Sequence, residues 1–217
     1  MIKFFPHMRI IYVYDALCGW CYGFSPVIKQ FYEKYKDKVE FEVVSGGMVL
    51  GDRIGPIGEV AGYIRWAYKE VENRTGVTFG EAFLHDTMAK GTAIFTSIPP
   101  AIAMCVFRER YPNYVIPFAG SLQKGIYFDG IDPEDLTAYG EIAELYGWDR
   151  HEFVNKMEEE KFLQEALKDF QQTGELMVQG FPSVLLEQNH KFMPLVRGYV
   201  PLHQLETVFQ EKVSSQS

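Results

Sequence analysis

The residues best suited to chemistry are two thiols, Cys18 and Cys21, in the tetrapeptide Cys18-Gly19-Trp20-Cys21. An apolar run, Arg9-Ile10-Ile11-Tyr12-Val13-Tyr14, leads into it, and a stretch with helical spacing follows from Tyr22 to about Lys36. Two cysteines two residues apart, between a strand and a helix, read as a redox-active dithiol. A thiol at a helix N-terminus faces the positive end of the helix dipole and main-chain N–H groups with no partner in the helix. Both favour the thiolate, the form that attacks a disulfide. Cys18 is then the exposed attacker, and Cys21, one turn in, resolves the mixed disulfide.

Other uses of the pair fit less well. Structural zinc needs four ligands, usually as two separated pairs. This chain has three cysteines and five histidines. The third thiol, Cys105, has no cysteine near it, and the histidines show no ligand spacing. Covalent haem attachment needs His after the second cysteine, where this chain has Tyr22. Cys105 lies in the apolar segment Ala101-Ile102-Ala103-Met104-Cys105-Val106-Phe107, which favours a buried small hydrophobe over a third redox thiol.

Composition narrows the setting. At 217 residues, 47% hydrophobic and 23% charged, the chain can bury a sizeable core in one domain, or in one domain with a large insertion. A net charge of -8 disfavours nucleic acid or an anionic membrane surface as the main partner. No apolar run reaches the ~18 residues that a membrane span needs. The start, Met1-Ile2-Lys3-Phe4-Phe5-Pro6-His7-Met8, shows no signal-peptide core or small-residue cleavage site, so a cytoplasmic protein is expected. In a reducing compartment a disulfide is more often catalytic than structural.

The flanking elements must position the thiols. Residues 8–14 are apolar almost throughout, which predicts a strand buried on both faces. Phe24, Val27, Ile28, Phe31 and Tyr32 repeat at helical spacing, with Pro26 inside predicting a kink or break. Residues 39–45 alternate with period two, which completes a right-handed βαβ unit. Helical patterns then dominate to about residue 178, over 58–73, 79–90, 99–110, 114–125, 133–146, 149–157 and 160–178. Asp132-Pro133 predicts an N-cap followed by Pro at the first helical position, and Gly147 predicts a C-cap. Strand patterns return at 181–187 and 191–196, joined by Gln188-Asn189-His190, with Asn189 suited to positive φ and Pro194 to an edge strand. A last helix is predicted over 201–213, and Ser214 to Ser217 should fray. The order is a βαβ unit, a long helical stretch, a hairpin and a final helix. This is an α/β protein: a thioredoxin-type core, residues 1–50 and 175–217, interrupted by a helical insertion, residues 51–174.

Three features together resemble the DsbA family across nearly the whole chain: the strand–Cys-x-x-Cys–helix start, the helical insertion, and Gly180-Phe181-Pro182 opening a late strand. The segment Asp15-Ala16-Leu17-Cys18-Gly19-Trp20-Cys21-Tyr22-Gly23-Phe24 is similar to that of its leaderless bacterial members, the FrnE-like dithiol-disulfide isomerases. The resemblance implies a thioredoxin-like fold with a large helical insertion. It also implies a cis Pro182 facing Cys18, with Phe181, Pro182 and Trp20 in contact with substrate. Two positions depart from the family. The strong oxidants carry Pro-His between the cysteines, where this chain has Gly19-Trp20, so a reductase or isomerase role fits better. Thioredoxin-type enzymes often place a buried carboxylate six residues before the first cysteine; here that residue is Tyr12, and Asp15 lies too close to the motif to replace it. Asp15 suits helix or loop capping.

The leading reading is a thiol–disulfide oxidoreductase or disulfide isomerase acting on disulfide-containing proteins or small thiols. It carries a redox-active disulfide in place of a bound cofactor, with glutathione as a candidate reductant. Two alternatives stay open. Glutathione-dependent isomerases and transferases resemble this architecture, with Ser where this chain has Cys18. Leaderless relatives also resemble adaptors that present clients to a protease. Tyr63, Trp66, Tyr68, Phe83 and Phe95 are candidates for a substrate groove or for core.

Overall fold

Strand β1 (Met8–Tyr14) lies inside a four-stranded sheet of order β2-β1-β5-β6. The computed structural model describes residues 8–215. The N-terminal residues read above for a leader, and the last two residues of the tail expected to fray, lie outside them. β1 pairs in parallel with β2 (Glu40–Ser45), with Arg9 opposite Glu40 and Tyr14 opposite Ser45. On its other side it pairs antiparallel with β5 (Ser183–Gln188), which pairs antiparallel with β6 (Lys191–Arg197). The two faces of β1 explain its continuous apolar run. Met8, Ile10, Tyr12 and Tyr14 enter the main core, while Ile11 and Val13 pack with Val44 and Leu185 against Leu176, Val178 and Phe181.

Helix α1 (Gly19–Tyr35) connects β1 to β2 and buries Phe24, Val27, Ile28, Phe31, Tyr32 and Tyr35, a stripe at helical spacing. It runs unbroken through Pro26, so the break that was one expected outcome does not occur. Proline removes the N–H that would bond the Tyr22 carbonyl. The Ser25 hydroxyl donates to that carbonyl at 2.8 Å instead, so the helix loses no partner there. Gly23 is required on this helix: a Cβ would come within 2.7 Å of the Thr75 side chain on helix α2 (Ala61–Thr75).

Between β2 and β5 the chain is mostly helical. After α2 come a π-helical turn (Ala82–Thr87) running into α3 (Met88–Lys90), then α4 (Ile98–Arg110), α5 (Val115–Lys124) and a second π-helical turn (Gly125–Asp129). α6 (Leu136–Glu144), α7 (Arg150–Met157) and α8 (Glu160–Glu175) follow. A two-residue ladder also occurs, β3 (Gly55–Pro56) against β4 (Ile94–Phe95), in segments outside the expected helices. The cap expected at Asp132 moves: Asp135 caps α6 by accepting from the Thr137 N–H at 2.9 Å, and Asp132–Pro133 forms the turn before it. α6 ends earlier than expected, and Gly147 takes φ +79 just beyond it. The turn after β5 is Asn189–His190, with both residues at positive φ, and Pro194 sits on the edge strand beside a register shift. α9 (Leu202–Ser214) closes the chain, so Ser214 is helical rather than frayed.

The helical stretch seals the open edge of β2. The Arg108 guanidinium on α4 donates to the Val43 carbonyl at 3.1 Å and forks onto Asp169 of α8. Asp169 accepts the Ser45 N–H at 3.1 Å, and the Thr173 hydroxyl donates to the Ser45 carbonyl. Groups that would template a foreign strand are thereby occupied. Breaking a buried pair leaves an uncompensated charge. Asp169→Ala should cost about 3 kcal/mol in urea unfolding, since it strands Arg108 and the Ser45 N–H together. A loss below about 0.5 kcal/mol would show that the clamp contributes nothing beyond an ordinary surface pair.

Candidate active site

Cys18 occupies the N-cap position of α1, with extended backbone (φ -92, ψ 111). Its N–H donates to the Asp15 carbonyl at 3.1 Å, and its carbonyl accepts the Tyr22 N–H at 3.0 Å. No acidic side chain lies in the first turn and no side chain caps it, so nothing offsets the positive end of the helix beside the sulfur. Cys18 is 6% exposed and Cys21 0%. Burial, and then the neighbouring Cys18 thiol, push the Cys21 thiol well above its ordinary range. Cys18 is thus buried where an exposed thiol was expected, though less completely than Cys21, which burial holds as a neutral thiol.

Pro182 follows a cis peptide bond, and Phe181 places its carbonyl 3.8 Å from the Cys18 sulfur. Gly46 makes room for this arrangement: a Cβ there would lie 2.3 Å from the Phe181 ring. Trp20 is half-buried, with the Arg74 guanidinium 5.3 Å from its ring centroid. The structure therefore brings Phe181 beside Cys18 and sets Trp20 in the wall next to it.

Asp15 has a larger place than its sequence context conveyed. It is 2% exposed, and its carboxylate accepts the N–H groups of Leu17 at 2.9 Å and Met48 at 2.7 Å. Burial pushes its carboxyl up, against those hydrogen bonds. It caps loops, as expected, and the loops it joins are the one carrying Cys18 and the one after β2. Two residues from the helical stretch complete the arrangement. Gln123 of α5 donates to the Asp15 carbonyl at 3.4 Å, and the Tyr127 hydroxyl donates to the Leu17 carbonyl. Sequence reasoning missed both; each acts across more than 100 residues of chain.

A cavity of about 500 Å³ opens beside Cys18, walled by Leu17, Trp20, Met48, Val49, Tyr68, Phe79, Phe95 and Tyr127, with Asp52, Arg53 and Glu59 also lining it. Of the five aromatic candidates, Tyr63, Tyr68 and Phe95 line it. Phe83 is core at 0% exposure, and Trp66 is 68% exposed, outside the wall. Cys105 is fully buried on α4, its thiol pushed up to about 12 by burial, with Arg108 donating to it at 3.3 Å. It lies in the β2 clamp and not with the other thiols. Among the described residues no group of three or more His, Cys, Asp or Glu is placed to hold a metal, and no helix is long and apolar enough to cross a membrane.

No protein-family model and no curated protein sequence matches the chain. Solved structures do match its fold. A "putative protein disulfide isomerase" from Nitrosomonas europaea superposes with a TM-score of 0.82 at 20% identity, over 98% of this chain and 100% of that one. The cytosolic disulfide reductase DsbM from Pseudomonas aeruginosa matches with a TM-score of 0.79 at 22% identity, over 95% and 98% of the two chains. The same reductase with GSH matches at 0.76 and 21%, over 95% and 99%. The chain therefore has the DsbA-like fold, a thioredoxin-like α/β core with a large helical insertion.

The difference between the two thiols is measurable. When the reduced protein is alkylated with iodoacetamide across pH and digested for mass spectrometry, Cys18 should label first at every pH. Cys21 should stay largely unmodified past pH ~9, above the ordinary thiol value of ~8.5. Equal labelling of the two at neutral pH would contradict the burial of Cys21.

Proposed function

We propose that this protein is a thiol–disulfide oxidoreductase in which Cys18 attacks and Cys21 resolves. The observation that carries the reading is the placement of Cys18: it caps a helix with no acidic first turn, borders an open cavity, and has a fully buried second thiol behind it. The Cys18 thiolate attacks one sulfur of a substrate disulfide and releases the other as a thiolate. Cys21 then loses its proton and attacks the Cys18 sulfur, which releases the second substrate thiolate and forms the Cys18–Cys21 disulfide. The substrate disulfide is reduced to two thiols and the protein dithiol is oxidised. Phe181 offers main chain beside Cys18, along which an extended substrate could pair.

Gly19-Trp20 between the cysteines favours the reductase or isomerase direction over strong oxidation. The domain division that goes with this reading assigns exchange to residues 1–50 and 175–217, and substrate cover to residues 51–174. Glutathione is the small thiol of choice as reductant: a neighbour of the same fold is a reductase solved with GSH, and the cavity beside Cys18 has room for a peptide of that size. A cytoplasmic setting, like that of the cytosolic neighbour, fits a dithiol kept reduced.

Trapping separates this reading from its alternatives. Cys21→Ser, purified under acid quench, should carry glutathione or proteins bound through a disulfide that dithiothreitol releases, because the resolving thiol is gone. Cys18→Ser should carry few or none. Partners held equally and non-covalently by both variants would support an adaptor instead. Thiol-independent glutathione binding by Cys18→Ser would support a glutathione-dependent isomerase or transferase.

A further inference from the structure

Two phenols lie on the face of β1 that α1 covers, with their hydroxyls unpaired. Tyr12 and Tyr14 alternate along β1, so both project to the face that α1 covers. Their rings stack with centroids 5.4 Å apart, and the Tyr12 ring packs 6.0 Å from that of Phe24 on α1. Tyr12 is 0% exposed and Tyr14 1%, and neither hydroxyl has a hydrogen-bond partner. A buried donor without a partner is uncommon and costs stability, so it calls for a reason. In the same core Cys21 must at some stage carry negative charge, and at 0% exposure it is cut off from the bulk solvation an exposed thiolate would have.

We propose that the Tyr12 hydroxyl is the hydrogen-bond donor for the Cys21 sulfur in its anionic state, a proposal that rests on the oxidoreductase reading above. The hydroxyl is unpaired while Cys21 is a neutral thiol and donates when the thiolate forms. Among the charged groups around Tyr12, Cys21 acts on it most strongly. The other titratable groups facing Cys21 are Cys18 on its own helix, Asp15 and Tyr14 from β1 and its end, and Tyr127 from the segment after α5. None of them is a cation; the Asp15 main chain favours the Cys21 thiolate through a hydrogen bond, while the Asp15 carboxylate opposes it. A neutral O–H donor meets that need without adding a second buried charge.

The role is the same in both directions of exchange. During resolution Cys21 gives up its proton to solvent or to the departing substrate thiolate, and Tyr12 holds the thiolate as it attacks the Cys18 sulfur. When an external thiolate attacks Cys18 in the oxidised protein, the Cys18–Cys21 bond breaks and its electron pair leaves on Cys21, beside the same donor. The phenol keeps its proton throughout, so it is neither consumed nor oxidised.

Reaction of the full-length reduced protein with Ellman's reagent tests this in one trace. Attack by Cys18 releases the first coloured thiolate and resolution by Cys21 the second, so the phases report the two sulfurs separately. Tyr12→Phe removes a single oxygen. It should move the pH midpoint of the second phase up by about one unit and slow that phase about threefold below the midpoint, the partial loss expected because a more basic thiolate is also more nucleophilic. The first phase should not move. Tyr14→Phe, which deletes the neighbouring unpaired hydroxyl, should move neither. A fluorotyrosine at position 12, a stronger donor of nearly the same shape, should move the second midpoint down, and it serves if Tyr12→Phe folds poorly. An unmoved second midpoint in Tyr12→Phe and the fluorotyrosine protein, equal movement of both phases, or the effect appearing in Tyr14→Phe would each overturn the proposal with the oxidoreductase reading intact. A parent protein that gives no second phase would overturn both.

Discussion

The site depends on one buried carboxylate. Asp15 ends β1, yet its two oxygens hold the N–H groups of Leu17 in the motif loop and Met48 in the loop after β2. Its partners are all hydrogen-bond donors and not cations, so its desolvation is offset only by those dipoles. That is a costly way to join two loops, and it makes their spacing rigid. The loop after β2 in turn carries Gly46, against which the Phe181 ring lies. Asp15 therefore links, through three contacts, the strand end, the helix cap that bears Cys18, and the segment whose carbonyl faces the sulfur. A residue that reads as a capping group in sequence sets the position of the reacting atom relative to the main chain beside it.

The helical stretch contributes more than cover. Gln123 and Tyr127 reach down to the Asp15 and Leu17 carbonyls, so the motif loop is held from the helical side as well as from the sheet. At the far side, Arg108 of α4 and Asp169 of α8 fasten two other helices of the stretch to the edge of β2. Asp169 binds the Ser45 N–H, and the next residue, Gly46, donates its own N–H to the Tyr14 carbonyl at 2.7 Å. The clamp and the active-site loop are consecutive along the chain. The buried ion pair thus bears on the site through consecutive main chain, and Phe170, next to Asp169 on α8, packs against Gly47 of the same loop.

Much of this was legible because the local patterns were strong. β1, α1, β2, the hairpin and α9 follow from apolar spacing, and the dithiol from its strand-to-helix context. Phe181 and Pro182 came from resemblance alone, since a proline opening a strand has a structural reading of its own. The misses share a cause: nothing local records them. A ladder of two residues, Gly55–Pro56 on Ile94–Phe95, is too short to show alternation. The continuity of α1 through Pro26 depended on a Ser25 hydroxyl taking the Tyr22 carbonyl. The separation of Phe83, wholly core, from Tyr68 and Phe95, which also line the cavity, depended on tertiary packing of a helix and of the short strand β4. Gln123 and Tyr127 are ordinary helix residues until the fold brings the motif loop beneath them.

The burial of Cys21 also limits how substrates approach. With Cys21 at 0% exposure, only Cys18 can be reached, and Phe181 already stands on one side of it. The cavity that Cys18 borders is walled by Leu17, Trp20, Met48, Phe79 and Phe95 among others, with Asp52, Arg53 and Glu59 also lining it. Under the proposed function, a disulfide entering there leaves water behind before it meets the Cys18 sulfur. In that apolar setting the fixed N–H dipoles at the start of α1 act with less screening than at an open surface. The absence of a His between the cysteines is therefore consistent with exchange chemistry. Whatever electrostatic support stands in for a His comes from the main-chain dipoles of the helix cap, against the cost of burial, and is not encoded in the tetrapeptide.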